Sequence, residues 1–597
     1  MCGIVTIVKN TETQELPDID AMLVSLYKRG PDDHGILSFP LCTLGQTRLS
    51  IIDLSGGHQP MRDNMRDMAI TFNGEIYNYK DLRSELEAKG YVFTTNSDTE
   101  VILKAYQEYG EECPKYLDGM FAFVIWDNKE KRLFMARDHF GKKPLYYAFD
   151  DDKNLLIASE IKALFASAKI MGTIDHHTID NYLALMYVPP HKTIYKNIFV
   201  IEPAELATYK GGVLRKEKYW QLEYTPINIS YAEAREKVRE LLTRSVERRM
   251  IADVEIGAFL SGGVDSTLVT SIAQSFLHSP IKTFAVGYQD YVSELLFALE
   301  ASNKIETDHQ TLQAKDDMVE ELQSVMEYFD EPHADSSDFP QHLISKFAAS
   351  KVKVALSGDG ADELFFGYGW YTKHMNLSYR AHLFDKLFLN PYQIYIKNIS
   401  VFSTAERRKL WGKNKDYVSD FVRPDIKTSK LDPITKINFF DLTTYLPGQL
   451  LTKIDRMGMM NSLEVRSPFL DQHLAEFVYS LPQKYKTGKY EGKKILKDLL
   501  EETMPPEFVN RRKQGFGAPV TIWLKKPAFK KLVEKVFLFQ ESHVYQFLDK
   551  REVNRIINSF YVTGDDSYFY KIWVLLCLEL WFDSHKKYHR DTRAPRQ

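Results

Sequence analysis

The sequence predicts an α/β protein of two domains, and three observations carry that expectation. Its 597 residues exceed what a single hydrophobic core organises. Up to about residue 219, short apolar runs alternate with turn clusters; beyond it the order becomes strand, glycine-rich turn and helix. Between the two patterns, residues 219–229 lose periodicity, which places the boundary there and divides the chain into 1–219 and 220–597.

In the first half, residues 4–8, 68–72, 121–126, 133–136 and 155–158 read as strands. Helical periodicity over 79–88 and 100–109 covers those sheets with a few helices. Residues 231–250 form a long amphipathic helix rich in Glu and Arg. A strand over 256–260, a turn over 261–266, a helix to about 276 and a strand over 282–287 are how a parallel sheet begins. Residues 353–356 add another strand. The remainder is mostly helical, and its aromatic, leucine-rich stretch over 568–582 reads as a buried helix.

Composition narrows the function. With 44% apolar and 26% charged residues and 24 prolines spread along the chain, no segment has the bias of a disordered tract. The net charge of −4 sets 81 acidic against 77 basic residues, too balanced for a nucleic-acid binder, so small molecules are the expected partners. Cys2, Cys42, Cys113 and Cys577 have no C-x-x-C spacing, which argues against a disulfide framework and a cysteine zinc site and suits a reducing cytosol. No basic and apolar leader opens the chain, and the apolar run over 572–578 stops at Glu579, so neither export nor membrane insertion is expected.

Cys2 follows the initiator methionine directly. Removing Met1 would put a thiol and a free α-amine on one residue, a nucleophile with its own base, because an α-amine of pKa about 7.7–8.0 accepts a proton near neutrality. A lone Met-Cys more often begins a buried strand. Here it is accompanied by Arg29-Gly-Pro-Asp32, Arg48-Leu-Ser-Ile-Ile-Asp53, Asn73-Gly-Glu-Ile-Tyr-Asn78, Ser97-Asp-Thr-Glu100 and Ala136-Arg-Asp-His-Phe-Gly141. In order and spacing these resemble the class II, amino-terminal-nucleophile glutamine amidotransferase domain. The resemblance implies an αββα sandwich of the amino-terminal-nucleophile hydrolase type. It also implies roles: Arg48 grips the glutamine carboxylate, Glu75 and Asp98 hold its ammonium, and Asn73 with the Gly74 amide forms the oxyanion hole.

The second half carries Ser261-Gly-Gly-Val-Asp-Ser266 between a strand and a helix, where backbone amides and a helix amino terminus can cradle phosphate. Without a Gly-Lys-Ser/Thr ending it is not a Walker loop. It looks like the loop of ATP pyrophosphatases, which cleave between the α and β phosphates and leave an adenylated carboxylate. Leu356-Ser-Gly-Asp-Gly-Ala-Asp-Glu363 follows another strand with glycines and three carboxylates, of which Asp362, with Asp265, suits Mg²⁺ shared with phosphate oxygens.

Together with Asp455-Arg456 and the run 463–471, these segments resemble asparagine synthetases over nearly the whole chain. That resemblance implies a doubly wound parallel sheet in the second half. It places the backbones of Leu260 and Val286, with Ser261, Gly262, Gly263, Asp265, Ser266, Ser357 and Gly358, around ATP. Asp359 becomes the base for incoming ammonia and Lys513 the cation for the reacting phosphate. The implied reaction joins aspartate, ATP and glutamine through β-aspartyl-AMP, with ammonia passing through the interior because free ammonia would protonate in water. A homodimer is compatible with this plan.

The chain departs from the usual pattern at three positions: Asp359 replaces Glu, Phe366 replaces Gly, and Thr267 replaces a second Ser. An amidotransferase of the same mechanism acting on another carboxylate, a catalytically silent relative and an RNA-modifying relative are the competing readings.

Overall fold

The computed structural model describes the chain apart from residues 289–294, 315–317, 375–389, 489–490, 512–516, 540 and 590–597. Strand Cys2–Val8 is buried along its full length because both of its faces are covered. Side chains alternate across a strand. Ile4 and Val8 therefore enter the core between two sheets, while Val5 and Ile7 meet Ile19, Met22 and Leu23 on the helical side.

Gly119–Asp127 repeats the pattern in the second sheet, with Ala122, Val124 and Trp126 facing inward. Its Phe121, Phe123 and Ile125 pack with Leu82, Leu86, Val101 and Ile102, from helices Tyr79–Ala88 and Asp98–Tyr109. The result is an αββα sandwich of two six-stranded antiparallel sheets. In the first, Cys2–Val8 lies between Leu155–Ala158 and Cys42–Arg48; in the second, Gly119–Asp127 lies between Arg132–Arg137 and Met68–Ile76. Cys2 is paired with Arg48 across the first sheet.

Helix Tyr231–Arg249 opens the carboxyl-terminal half with a complete capping box, Ser230 and Glu233 satisfying each other's backbone amides. Five strands follow in the spatial order Asp308–Ala314, Lys282–Tyr288, Ile256–Phe259, Val354–Leu356 and Glu464–Arg466. All four pairings are parallel. Numbered along the chain this is 3-2-1-4-5, the doubly wound order, and it reverses between Ile256–Phe259 and Val354–Leu356. Ligands of such sheets bind in the crevice beyond the carboxyl ends of the strands at that reversal. The Ser261 and Ser357 loops both begin there. Helix Val264–Ser275 starts earlier than the sequence implied, with Gly263 as its cap, so Asp265 and Ser266 occupy its first turn. The terminal helix Phe569–His585 is buried on nearly all sides, which accounts for its lack of a polar face.

A buried ionic seam joins the halves. Arg29 bridges Glu160 at 2.7 Å and Asp455 at 2.8 and 2.9 Å, while Arg456 reaches Glu160 at 2.8 Å and Asp330 at 3.2 Å. Breaking such a pair by removing one partner costs about 3–5 kcal/mol, because the other charge stays buried and alone. Asp455 and Arg456, matched by motif only, thus have a packing role: they fasten helix Leu451–Met459 to the sandwich.

Candidate active sites

The first site forms where the start of strand Cys2–Val8 faces the end of strand Met68–Ile76 in the other sheet. Cys2 is buried, and burial pushes its thiol above the ordinary value, opposed by the nearby amino terminus and Arg48. A thiol held neutral in this way needs a base to become a nucleophile. The Cys2 backbone nitrogen donates to Asn73 Oδ1 at 3.0 Å. The same amide's Nδ2 is buried and has no partner among the described residues. An unmet buried donor is costly, so its presence beside a nucleophile marks a place prepared for an incoming oxygen. Gly74 follows at φ 152°, and a Cβ there would lie 2.0 Å from the Met120 carbonyl oxygen, so no other residue fits.

Arg48 is buried, with Nη2 donating to the carbonyls of Ile52 and Asp53, both at 2.9 Å. A Cβ on Gly57 would meet that nitrogen at 2.3 Å, so the glycine makes room for the guanidinium. Asp98, in the first turn of its helix, accepts from the Ile76 amide at 3.0 Å. Burial pushes its carboxyl up to about 6 despite that bond. Glu75 is pushed up as well, by burial and then by the negative charges of Glu464 and Asp98.

Two residues of the other half close this site. Glu464 Oε2 lies 3.3 Å from the Met1 ammonium and its Oε1 accepts from Arg466 Nε at 2.7 Å, while Arg466 Nη2 lies 3.6 Å from Glu75. Both belong to the edge strand of the parallel sheet. The sequence signalled them through the match over 463–471, but only the docking of the halves discloses what they face.

The second site is a cavity of about 680 Å³ at the sheet reversal. Its wall includes Ser261, Gly263, Asp265, Ser266, Val286, Ser357, Gly358, Asp359 and Asp362. Leu260 is fully buried behind the wall, and its amide is used by the Phe284 carbonyl at 2.9 Å. Gly262 turns the loop at φ 70°, where a Cβ would lie 2.4 Å from the Phe297 carbonyl carbon. Ser261 and Ser266 hydroxyls meet at 3.1 Å and hold the loop closed. Gly358 passes so near that its Cβ would be 2.8 Å from Asp265 Cβ, which brings the two loops together.

Lys493 Nζ sits between Asp265 and Asp362, bonded to the first and 2.7 Å from the second. Asp265 and Asp362 therefore come together on the Lys493 ammonium. Lys513 lies outside the described residues. Lys493 was missed because Gly492-Lys493-Lys494 has no motif around it; a lysine at φ 60° starting a helix is recognisable only in three dimensions. Gly367 is needed beside it, since a Cβ there would be 2.1 Å from both Lys493 Cε and Asp362 Oδ1.

These two geometries coincide with two families. The description "Asparagine synthase" matches residues 237–583, and "Glutamine amidotransferase domain" matches residues 1–220. Asparagine synthetase (glutamine-hydrolyzing) 1 of Bacillus subtilis is 32% identical over 97% of this chain and 96% of its own. The chain belongs to the asparagine synthase family. Asparagine synthetase (glutamine-hydrolyzing) 3 of the same bacterium is 31% identical over 94% of each chain, and the maize enzyme of that name is 28% identical over 90% of this chain and 86% of its own.

Against the synthase pattern, the three departures have different physical standing. Phe366 adopts φ 57°, a left-handed conformation that costs a non-glycine residue about 1–2 kcal/mol. Its ring offsets that cost by stacking on Tyr371 at 4.5 Å under the Lys486 ammonium. Thr267 is fully buried, away from the cavity wall. Asp359 does line the cavity, where burial raises its carboxyl pKa while Lys453 and Ser357 oppose the rise.

Proposed function

We propose that this chain makes asparagine from aspartate, ATP and glutamine, with one site releasing ammonia and the other activating the acceptor carboxylate. The observation that carries the reading is the pairing, in one chain, of Cys2 beside an unmet buried amide with a phosphate-type loop at the reversal of a doubly wound sheet. Its domains follow the sequence boundary, 1–219 for the glutaminase and 220–597 for the synthetase.

In the first site, loss of Met1 frees the Cys2 amine to take the thiol proton. The thiolate then attacks the glutamine carboxamide, and the developing oxyanion meets Asn73 Nδ2 and the Gly74 amide; its collapse breaks the C–N bond, ammonia leaves with the proton held by the Cys2 amine, and water frees glutamate from the thioester. Arg48 holds the substrate carboxylate; Asp98 and Glu75 hold its ammonium. Replacing Asn73 with Ala removes one donor to the oxyanion. Glutamine hydrolysis is expected to fall about 10²–10³-fold while ammonia-supported asparagine synthesis persists, as measured by glutamate and asparagine formation.

Asp98 sets a pH limit. Its folded value of about 6 stands above the ordinary carboxylate value, so the group contributes stability at low pH that is lost as pH rises through 6. Substrate ammonium needs the ionised form. The kcat/KM for glutamine is therefore expected to fall about tenfold per pH unit below pH 6, and Asp98→Asn should remove that limb along with most of the activity.

In the second site, Ser261, Gly263 and Ser266 cradle the ATP phosphates, with Val286, Ser357 and Gly358 at the nucleoside. Asp265 and Asp362 suit Mg²⁺, which would spread phosphate charge when bound. Lys493, already between these carboxylates, neutralises charge on the phosphates as the acceptor carboxylate displaces pyrophosphate. Ammonia then displaces AMP, and Asp359 accepts its surplus proton. A buried chain of contacts joins the two sites: Arg29 Nε donates to the Cys2 carbonyl at 3.1 Å and pairs with Asp455, on the helix whose Lys453 faces the cavity.

The test is asparagine and AMP formation by purified protein with Mg²⁺, ATP and glutamine, with and without aspartate. Asparagine in step with AMP supports the reading. Glutamine hydrolysis with no aspartate-dependent AMP would remove aspartate as acceptor.

A further inference from the structure

The cavity has two chemically different ends. At the phosphate end every basic side chain among the described residues of the wall is engaged: Lys493 with Asp265 and Asp362, Lys497 with Glu491, and Arg511 with the Gly262 carbonyl and the Phe297 ring. At the other end Asp335, Ser337, Asp359, Glu363, Tyr368 and Lys453 form the wall.

Lys453 is almost fully enclosed, its side chain 6% exposed. Its ammonium donates to Ser337 Oγ at 2.7 Å and approaches Asp335 Oδ2 at 3.4 Å. An ammonium has three donors, and among the described residues these two partners are the ones it has. Asp335 is fastened in turn by the Ser337 amide at 2.9 Å, and the Lys453 charge holds its carboxylate ionised in spite of burial. Keeping a charged pair this deep is expensive unless further bonds satisfy it.

Glu363, by contrast, is engaged by the Tyr368 hydroxyl, which donates to it at 2.6 Å. Among the described residues of this wall the one basic side chain is thus Lys453, with Asp335 and Asp359 beside it.

Aspartate presents a carboxylate to be activated and, beyond it, an α-carboxylate and an α-ammonium that take no part in the chemistry. Those two groups need one cation and one anion side by side, at a distance from the phosphate loop. We propose that Lys453 receives the acceptor's α-carboxylate and Asp335 its α-ammonium, making the pair the specificity-determining element for an α-amino dicarboxylic acid. The assignment rests on the reading of the chain as an asparagine-forming enzyme and names the residues that choose its acceptor. It also gives Asp359 a place: with the α-groups held by the pair, the activated carboxylate lies between the phosphate loop and Asp359.

The test compares aspartate with 3-aminopropanoate, which keeps the reacting carboxylate and lacks the α-carboxylate, following pyrophosphate release with saturating ammonia, ATP and Mg²⁺. A ratio of kcat/KM values within one preparation does not depend on how much of it is folded. The unaltered protein is expected to prefer aspartate by about 10⁴-fold or more, as sites built around a substrate's polar group reject analogues lacking it. Lys453→Met should bring that ratio below about tenfold, mainly through the KM for aspartate. Retention of the original ratio in Lys453→Met overturns the proposal.

If Lys453→Met is inactive with both acceptors, Lys453→Arg decides: a restored preference for aspartate supports the assignment, and equal loss with both acceptors overturns it. Absence of aspartate-dependent pyrophosphate from the unaltered protein is a separate result, which sinks the asparagine-forming reading and the acceptor assignment with it.

Discussion

Replacing Cys2 with alanine is expected to abolish glutamine-dependent asparagine formation, by at least about 10³-fold, while leaving ammonia-dependent formation near its original rate. The asymmetry follows from the architecture. The thiol supplies the covalent step of one site, and a residue acting as nucleophile costs several orders of magnitude when removed. The synthetase cavity is lined by residues of the other half and receives ammonia from any source. Alanine at position 2 also leaves the strand pairing with Arg48 intact, so the sandwich should hold its stability. Parallel assays of asparagine, glutamate and AMP with each nitrogen donor decide the matter. Equal loss with both donors would show that Cys2 acts through structure; full retention with glutamine would place the nucleophile elsewhere.

Replacing Lys493 with methionine has the opposite pattern: both nitrogen sources should fail together, because activation precedes amide formation whatever the donor. Removing a preorganised cation from the reacting phosphates costs about 10²–10³-fold in rate. A second effect adds to it, since Asp265 and Asp362 converge on this ammonium and would face each other across the gap it leaves. Loss of the cation leaves two like charges close together on the cavity wall, so the variant should also unfold at lower denaturant concentration. Arginine is not expected to restore the rate. Its planar fork does not reproduce a compact ammonium placed between the two carboxylates. Aspartate-dependent pyrophosphate release is the readout, with glutaminase activity as the check on integrity. Unchanged release would return the phosphate-neutralising role to Lys513 or its neighbours.

Much of the fold was legible because the signals were local. The strand runs near 4–8, 68–72 and 121–126 correspond to Cys2–Val8, Met68–Ile76 and Gly119–Asp127, since short apolar segments bounded by turns have few other ways to be buried. The predicted helix over 79–88 has the observed bounds of Tyr79–Ala88, and the turn over 261–266 is also observed, except that its last residues join the helix. Motifs brought Cys2, Asn73, Asp265 and Asp362 to notice from residue type and order. What each of them touches was not legible, because their partners lie far along the chain: Glu464 faces Met1 and Lys493 faces Asp265.

By itself, then, the sequence determined the class of each half and the residue types of two chemistries, since periodicity, glycine-bearing turns and short motifs depend on neighbours in the chain. Only the tertiary structure decided which cation joins the two aspartates, which strand closes the glutaminase site, and that Asp455 and Arg456 fasten the halves. Those are contacts between charged groups enclosed by packing. Burial makes such groups strong partners, and burial is a property of the assembled layers that no local stretch of sequence carries.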